Sequence, residues 1–340
     1  MHFGLSDTQI AIAQRYAALL STNLSGNTTA STSANAASAR ILVSAQCDGD
    51  GLGFLDFAVV AEQFGKAGAV PMSLGNLAAA LTFGADATTH QAWLKSIANG
   101  AACFAVAFES GVGHTGQAHL TWTPSNVSGE LDTIIDAERA SHLLIFGRDA
   151  VARIARLDRS VQPTLRPSID PSRSIARVSL TETAVVAITD TTVADRVMAH
   201  TVDAMRVALA AENLGAATTL LERSIAYAKV RRQFGREIGS YQGVKFACAE
   251  MAAMLEPCRA LMWQAAYAID HDRDNSRELA CHTKAHVADV AREIARMAIE
   301  LHGAYGFSEN SGLHAFYRRI AANRPLLGGP EYCRMQAGSL

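Results

Sequence analysis

Hydrophobic and polar positions follow a helical rhythm at both ends of the chain and an alternating one in the middle. Near the start, Ile10, Ile12, Ala13 and Tyr16 make a partial apolar face, and Asp7 is placed to cap the helix that carries it. A glycine-rich turn beginning at Gly49 leads into a second helical pattern through Leu55, Ala58, Val59, Glu62 and Phe64. Between about Cys103 and Val193 the runs become short and β-branched: FAVAF, HLTWT, DTIID, HLLIFG, ARVSL and AVVAI. Gly, Pro, Ser and Asp punctuate them, as strand boundaries do. After Asp195 the spacing is helical again. Ala211, Leu214, Ala217, Leu221 and Ile225 step by three and four, and Leu209, Ala216 and Leu220 supply a second face. A helix apolar on two faces is buried in a bundle, and Gly215 marks a possible kink in it. Two more long helices are predicted around Gln242 to His271 and Glu278 to Leu301, with short connections that favour antiparallel neighbours.

These patterns predict an α+β chain, mostly α, in three parts. Residues 1–102 form an N-terminal helical domain, shortened and interrupted by a low-complexity Ser/Thr/Asn/Ala tract at 21–39. Residues 103–192 form a middle β-barrel or sandwich, and residues 193–340 form a four-helix bundle. A length of 340 residues favours several packed units over one core.

Composition narrows the function. Apolar residues make up 49% and charged residues 18%, and the net charge of -2 shows no basic stripe for nucleic acid. The longest apolar stretches, such as Leu77 to Leu81, are too short to cross a bilayer. The opening residues lack a secretory pattern, so a cytoplasmic location is expected. Six scattered cysteines (Cys47, Cys103, Cys248, Cys258, Cys281 and Cys333) have no metal-binding spacing, so no metal is expected and buried free thiols are. Cys281 and His282 are adjacent, but neighbours on a helix do not face each other. The GDGLGF cluster lacks the lysine or serine of a phosphate loop and runs into an acidic helix start.

Two words carry a family resemblance. YAKVRRQFGREIGSYQGVKFACAEM, from Tyr227 to Met251, resembles an acyl-CoA dehydrogenase signature in which R-x-x-F-G (Arg231, Phe234, Gly235) precedes an Ile-Gly and an aromatic-Gln pair. LHGAYGF, from Leu301 to Phe307, is similar to a second one. Weaker echoes lie in GLGFLDFAVVAEQFGKAGA and QAWLKSIANG, so the similarity spans nearly the whole chain. The resemblance implies FAD as cofactor and an acyl-CoA thioester as substrate. It also implies that Arg231, Gln233, Phe234 and Gly235 serve the cofactor of a neighbouring subunit, with Gly303 and Ala304 where the family has Gly-Gly. A guanidinium offers phosphate a rigid donor fork, which suits that role.

The same resemblance exposes departures. The family's base is a glutamate, and its two usual positions fall here on Leu327 and Met205, neither of which can accept a proton. The T-E-P word that contacts the flavin reads FES, with Phe108 before Glu109, and W-I-T reads TII, from Thr133 to Ile135. Everything for the chain's own flavin is degraded, and the element lent to a neighbour is intact. That resembles the smaller subunit of bacterial α2β2 acyl-CoA dehydrogenases of steroid side-chain degradation, as does LLGGP from Leu326 to Pro330. The expectation is a subunit without a base that completes the FAD site of a homologous partner. A self-sufficient enzyme using Glu331 or Glu212 and a non-enzymatic scaffold are the alternatives. A family member that eliminates a leaving group without a base is a further one, disfavoured by the lost flavin words.

Overall fold

The computed structural model describes residues 4–21, 38–68, 71–113 and 118–339. Most of the 21–39 tract lies outside the described residues. Nine α-helices and nine strands are found among those described.

Four helices come first: α1 (Asp7–Ser21), α2 (Phe54–Ala67), α3 (Leu74–Gly84) and α4 (Gln91–Ala98). The cap of α1 is Ser6 and not Asp7. The Ser6 hydroxyl accepts from the Gln9 amide, and the Gln9 side chain accepts from the Ser6 amide, the reciprocal pairing that leaves no orphan donor at the turn. The start of α2 is closed from far along the chain. Asp270 Oδ2 accepts from the Phe54 amide at 2.7 Å and from Leu55 at 3.3 Å, and a Cβ on Gly53 would sit 2.7 Å from that oxygen. A carboxylate from the same chain thus occupies the helix end that follows the glycine-rich turn.

Seven strands follow: β1 (Phe104–Phe108), β2 (His119–Trp122), β3 (Asn126–Ile135), β4 (His142–Phe146), β5 (Ala152–Arg156), β6 (Thr164–Arg166) and β7 (Ile175–Ala187). β3, β1, β4, β5 and β7 pair in that order, and β3 also pairs with β7, closing a barrel to which β2 and β6 attach at the sides. ARVSL and AVVAI, expected as two strands, are one. The chain keeps pairing with β3 across a bulge that shifts the register by one residue at the left-handed Glu182 (φ 45°), where Ser128 accepts from the Glu182 amide. Alternation sorts the side chains by face. Ala105, Ala107, Leu143, Ile145 and Val178 fill the barrel, while Phe104, Val106, Phe108, Leu144 and Phe146 join the helical core.

The rest is helical: α5 (Ala194–Val230), α6 (Gln242–His271), α7 (Arg273–His302), α8 (Leu313–Asn323) and α9 (Pro330–Gly338). A tiny hairpin, β8 (Arg232–Gln233) with β9 (Arg236–Glu237), joins α5 to α6. The bundle is three long helices with α8 as a shorter fourth against α5 and α7. With 37 residues, α5 is about 55 Å long and is buried through its middle on every side, as its two apolar faces predict. Gly215 lies inside an unbroken helix and at a close helix crossing. A Cβ there would lie 2.0 Å from the Glu62 carbonyl, and one on Gly65 would lie 1.9 Å from the Glu212 carbonyl. The two glycines let α2 and α5 cross with their backbones in contact.

Candidate functional site

The predicted motif residues meet where α5 ends and α7 ends. Arg231 stops α5: its amide donates to the Tyr227 carbonyl, and its extended ψ of 126° turns the chain into the hairpin. Phe234 and Gly235 form the turn, with φ of 52° and 83°, the doubly left-handed geometry of a two-residue hairpin. Glycine takes that conformation freely, whereas Phe234 is held in it. Tyr241 Oη donates to the Gln233 carbonyl at 3.2 Å and to the Phe234 carbonyl at 3.4 Å. The Arg236 guanidinium lies 4.0 Å over the Tyr241 ring, and Arg232 pairs with Glu237 at 3.0 Å. This bracing projects Phe234 into solvent at 92% exposure.

Opposite, α7 runs out at His302, and Gly303 (φ 60°, ψ -142°) occupies backbone space that is essentially glycine's alone. Nothing lies within 4 Å of where its Cβ would be. Between the two ends is an open pocket of about 480 Å³. Arg231, Gln233, Gly303 and Ala304 all line it. Phe234 and Gly235 do not: they form the hairpin tip beside it. Among the described residues the Arg231 side chain has no hydrogen-bond or ion-pair partner, so its donors are free.

Three rings that pattern reading missed complete the wall. Tyr227 stacks on His302 (centroids 4.4 Å apart) and on Tyr305 (5.9 Å). His302 Nδ1 lies 2.7 Å from the Ala298 carbonyl, and burial pushes its pKa down, so the neutral ring donates at Nδ1. The available signal was position: Tyr227 stands one helical turn before Arg231, and His302 precedes Gly303.

The positions tied to the chain's own chemistry are filled or committed. Leu327 and Met205 are fully buried. Arg206 Nε donates to the Leu327 carbonyl at 3.0 Å, and a Cβ on Gly113 would meet Gly328 Cα at 2.2 Å, so the loop after β1 lies directly on LLGGP. Phe108 stacks flat on Phe146 (5.1 Å, 7°), and Ile134 points into the barrel. Glu109 accepts from Trp122 Nε1, the Arg148 amide and the Leu120 amide.

Glu212, a candidate base, is corrected by its surroundings. It is fully buried, accepting from Arg173 at 2.6 Å, Arg319 at 2.9 Å, Asn323 at 2.8 Å and the Met72 amide at 3.2 Å. Burial alone would raise its pKa, but the two guanidinium groups more than reverse that and hold it low. A carboxylate so engaged has no lone pair to take a substrate proton. Glu331 has the opposite fault. It stands in the first turn of α9, 76% exposed and 3.4 Å from Arg324, with its pKa lowered by the helix amide and by that arginine. It lies out in water, and the lowered pKa makes its carboxylate a weaker proton acceptor. Cys281 and His282 point apart, the first fully buried and the second exposed beside Glu278. All six cysteines are free, four buried and two partly so, and no group of metal-ligating side chains occurs among the described residues.

Residues 196–339 match the model of the acyl-CoA dehydrogenase C-terminal domain. Butyryl-CoA dehydrogenase of Megasphaera elsdenii superposes with a TM-score of 0.86, covering 100% of this chain and 99% of that one at 17% identity. The chain has the acyl-CoA dehydrogenase fold. A steroid ACAD, Tcur3481-Tcur3483, shares this fold at TM-score 0.84 and 19% identity, over 98% and 97% of the two chains. Among curated proteins, the acyl-CoA dehydrogenase IpdE2 of Mycobacterium tuberculosis is 26% identical over 86% of this chain and 80% of its own. The caffeyl-CoA reductase-Etf complex subunit CarC of Acetobacterium woodii is 33% identical, but the match covers only 35% of this chain and 31% of that protein. No helix among the described residues is long and apolar enough to cross a membrane.

Proposed function

We propose that this chain is a subunit of an FAD-dependent acyl-CoA dehydrogenase that completes the flavin site of a homologous partner and brings no catalytic base of its own. One observation carries the reading: Arg231, Gln233, Gly303 and Ala304 converge on one open pocket, while both base positions are apolar and buried. The pocket suits part of an anionic, aromatic cofactor. Arg231 presents donors that are unpaired among the described residues to phosphate oxygens, the glycine backbone at 303 permits close approach, and Tyr227, His302 and Tyr305 offer ring faces. Ala304 adds one methyl to that approach.

Bound FAD would accept a hydride from the β-carbon of an acyl thioester whose α-proton a carboxylate removes. In this chain, Arg231 and Gln233 bind and orient the cofactor's polar part, and Phe234 is the exposed apolar anchor that a partner surface would cover. The committed Glu109, the Phe108 and Phe146 stack and the apposed Gly113 and Gly328 leave the chain's own flavin contacts unavailable. The α2β2 assembly, the steroid-derived acyl group and the cytoplasmic setting belong to the same proposal, supported by the likeness to a steroid ACAD and to IpdE2.

The test is co-expression with the homologous subunit encoded beside it. The chain alone should be colourless and inert with an acyl-CoA panel, and the complex should be yellow and active. Arg231→Ala should lower FAD retention in the complex tenfold or more, about 1.4 kcal/mol, without changing the melting temperature of the isolated chain. A yellow, active chain on its own would overturn the proposal.

A further inference from the structure

The hairpin that follows Arg231 is too small to hold its own shape. Its strands pair only Arg232 with Glu237 and Gln233 with Arg236, and an isolated two-stranded ribbon is marginal in water. Its turn is strained as well. Phe234 has a φ of 52°, and a bulky residue keeps left-handed backbone only where its surroundings fix it there. Packing supplies little of that fixing: nothing lies within 4 Å of where a Gly235 Cβ would be, and the Phe234 ring stands in solvent. Hydrogen bonds supply more. Arg232 Nη2 donates to the Gly235 carbonyl at 3.3 Å, and at the base the Ile238 amide donates to the Arg231 carbonyl at 2.8 Å.

Tyr241 reaches the turn from outside the hairpin. It is the N-cap of α6, where its amide donates to the Ile238 carbonyl and its carbonyl accepts from the Lys245 amide, each at 3.1 Å. A 30-residue helix therefore roots its backbone, and the Arg236 guanidinium covers its ring. Its hydroxyl shares one proton between the successive carbonyls of Gln233 and Phe234. In extended backbone, successive carbonyls point to opposite sides, so one hydroxyl can meet both only while Phe234 stays turned. Tyr241 is not among the residues that line the pocket, whereas Arg231 and Gln233 are.

We infer that Tyr241 is a positioning residue for the pocket: its hydroxyl locks the left-handed turn at Phe234 and so holds Arg231 and Gln233 at the pocket wall. The inference rests on the reading of that pocket as part of a flavin site.

The hydroxyl can be removed without disturbing the fold. Tyr241→Phe keeps the ring and its cation contact, and at this exposed tip water takes over the two carbonyls. What disappears is the preference for one turn geometry. A cofactor then meets a hairpin that is competent for only part of the time, and its apparent affinity falls by that fraction.

The test compares Tyr241→Phe with Arg231→Ala, each as the purified chain and in the complex with its co-expressed partner. In the isolated chain, Tyr241→Phe should melt with wild type while the amides of the 231–241 segment exchange about fivefold faster. In the complex it should bind FAD about fivefold more weakly, and excess FAD should restore turnover to within about twofold of wild type. If Arg231→Ala loses FAD and Tyr241→Phe retains it like wild type, the inference is overturned and the flavin reading stands. If both variants retain FAD like wild type, the flavin reading fails and takes the inference with it. Unchanged exchange in the 231–241 segment, or FAD loss that only follows a lowered melting temperature, would also overturn the role given to Tyr241.

Discussion

Single residues decide what this chain can do, and their environments separate roles that the residue types share. Lys284 and Arg231 are both cations in the helical half. One is fully buried on two carbonyls, and the other stands at an open pocket without a partner among the described residues. Burial lowers the Lys284 pKa to about 8. A folded-state pKa below the unfolded one means the unfolded chain binds more protons between about pH 8 and 10.5, so this residue's contribution to stability rises as pH rises through that window. Urea unfolding at pH 7.5 and 9.5 should show wild type gaining on the order of 2 kcal/mol relative to Lys284→Met. Equal gains in both proteins would mean that the ammonium is not desolvated. The sequence announced Arg231 through its motif but gave no sign of Lys284 or of the buried cluster that Cys281 and Cys333 share. Such meetings depend on how α7 and α9 pack, and 51 intervening positions carry no pattern for it.

Elements were more legible than contacts. Helical spacing located α2, α5, α6 and α7, and short β-branched runs located five of the seven strands of the middle sheet, because periodicity reports which face is buried. β5 and β6 were missed: ARIAR and TLR are short and carry arginines that read as loop. Gly215 shows the limit of local reading. In an isolated helix it would be a weak point, whereas here it is the place where α2 approaches. Gly215→Ala should cost about 3 kcal/mol, since the methyl would meet the Glu62 carbonyl, a backbone atom that cannot rotate away. Thermal melting should show the drop, and Gly243→Ala, with nothing within 4 Å of the added methyl, is the control expected to stay near wild type.

At the scale of the molecule, the three stretches of the chain are joined by a buried charge network that has Glu212 at its centre. Arg173 and Asp170 come from the approach to β7, Asp136 from the end of β3, Glu212 from α5, Arg319 and Asn323 from α8, and the Met72 amide from the approach to α3. Cutting one member leaves the others charged in a dry place. Glu212→Ala strands parts of two guanidinium groups and should cost about 3 to 5 kcal/mol. Glu212→Gln keeps the shape and some hydrogen bonds and should cost less. The two roles of Glu212 predict opposite patterns in a reconstituted complex. A base would make Glu212→Gln inactive with near-normal stability, because the proton acceptor is gone and the packing is not. A structural carboxylate makes the same variant less stable but still able to turn over below its melting temperature. Measuring melting and turnover on that one protein therefore tests the division of labour itself: whether this chain holds its domains together around an internal ion network and leaves proton abstraction to its partner.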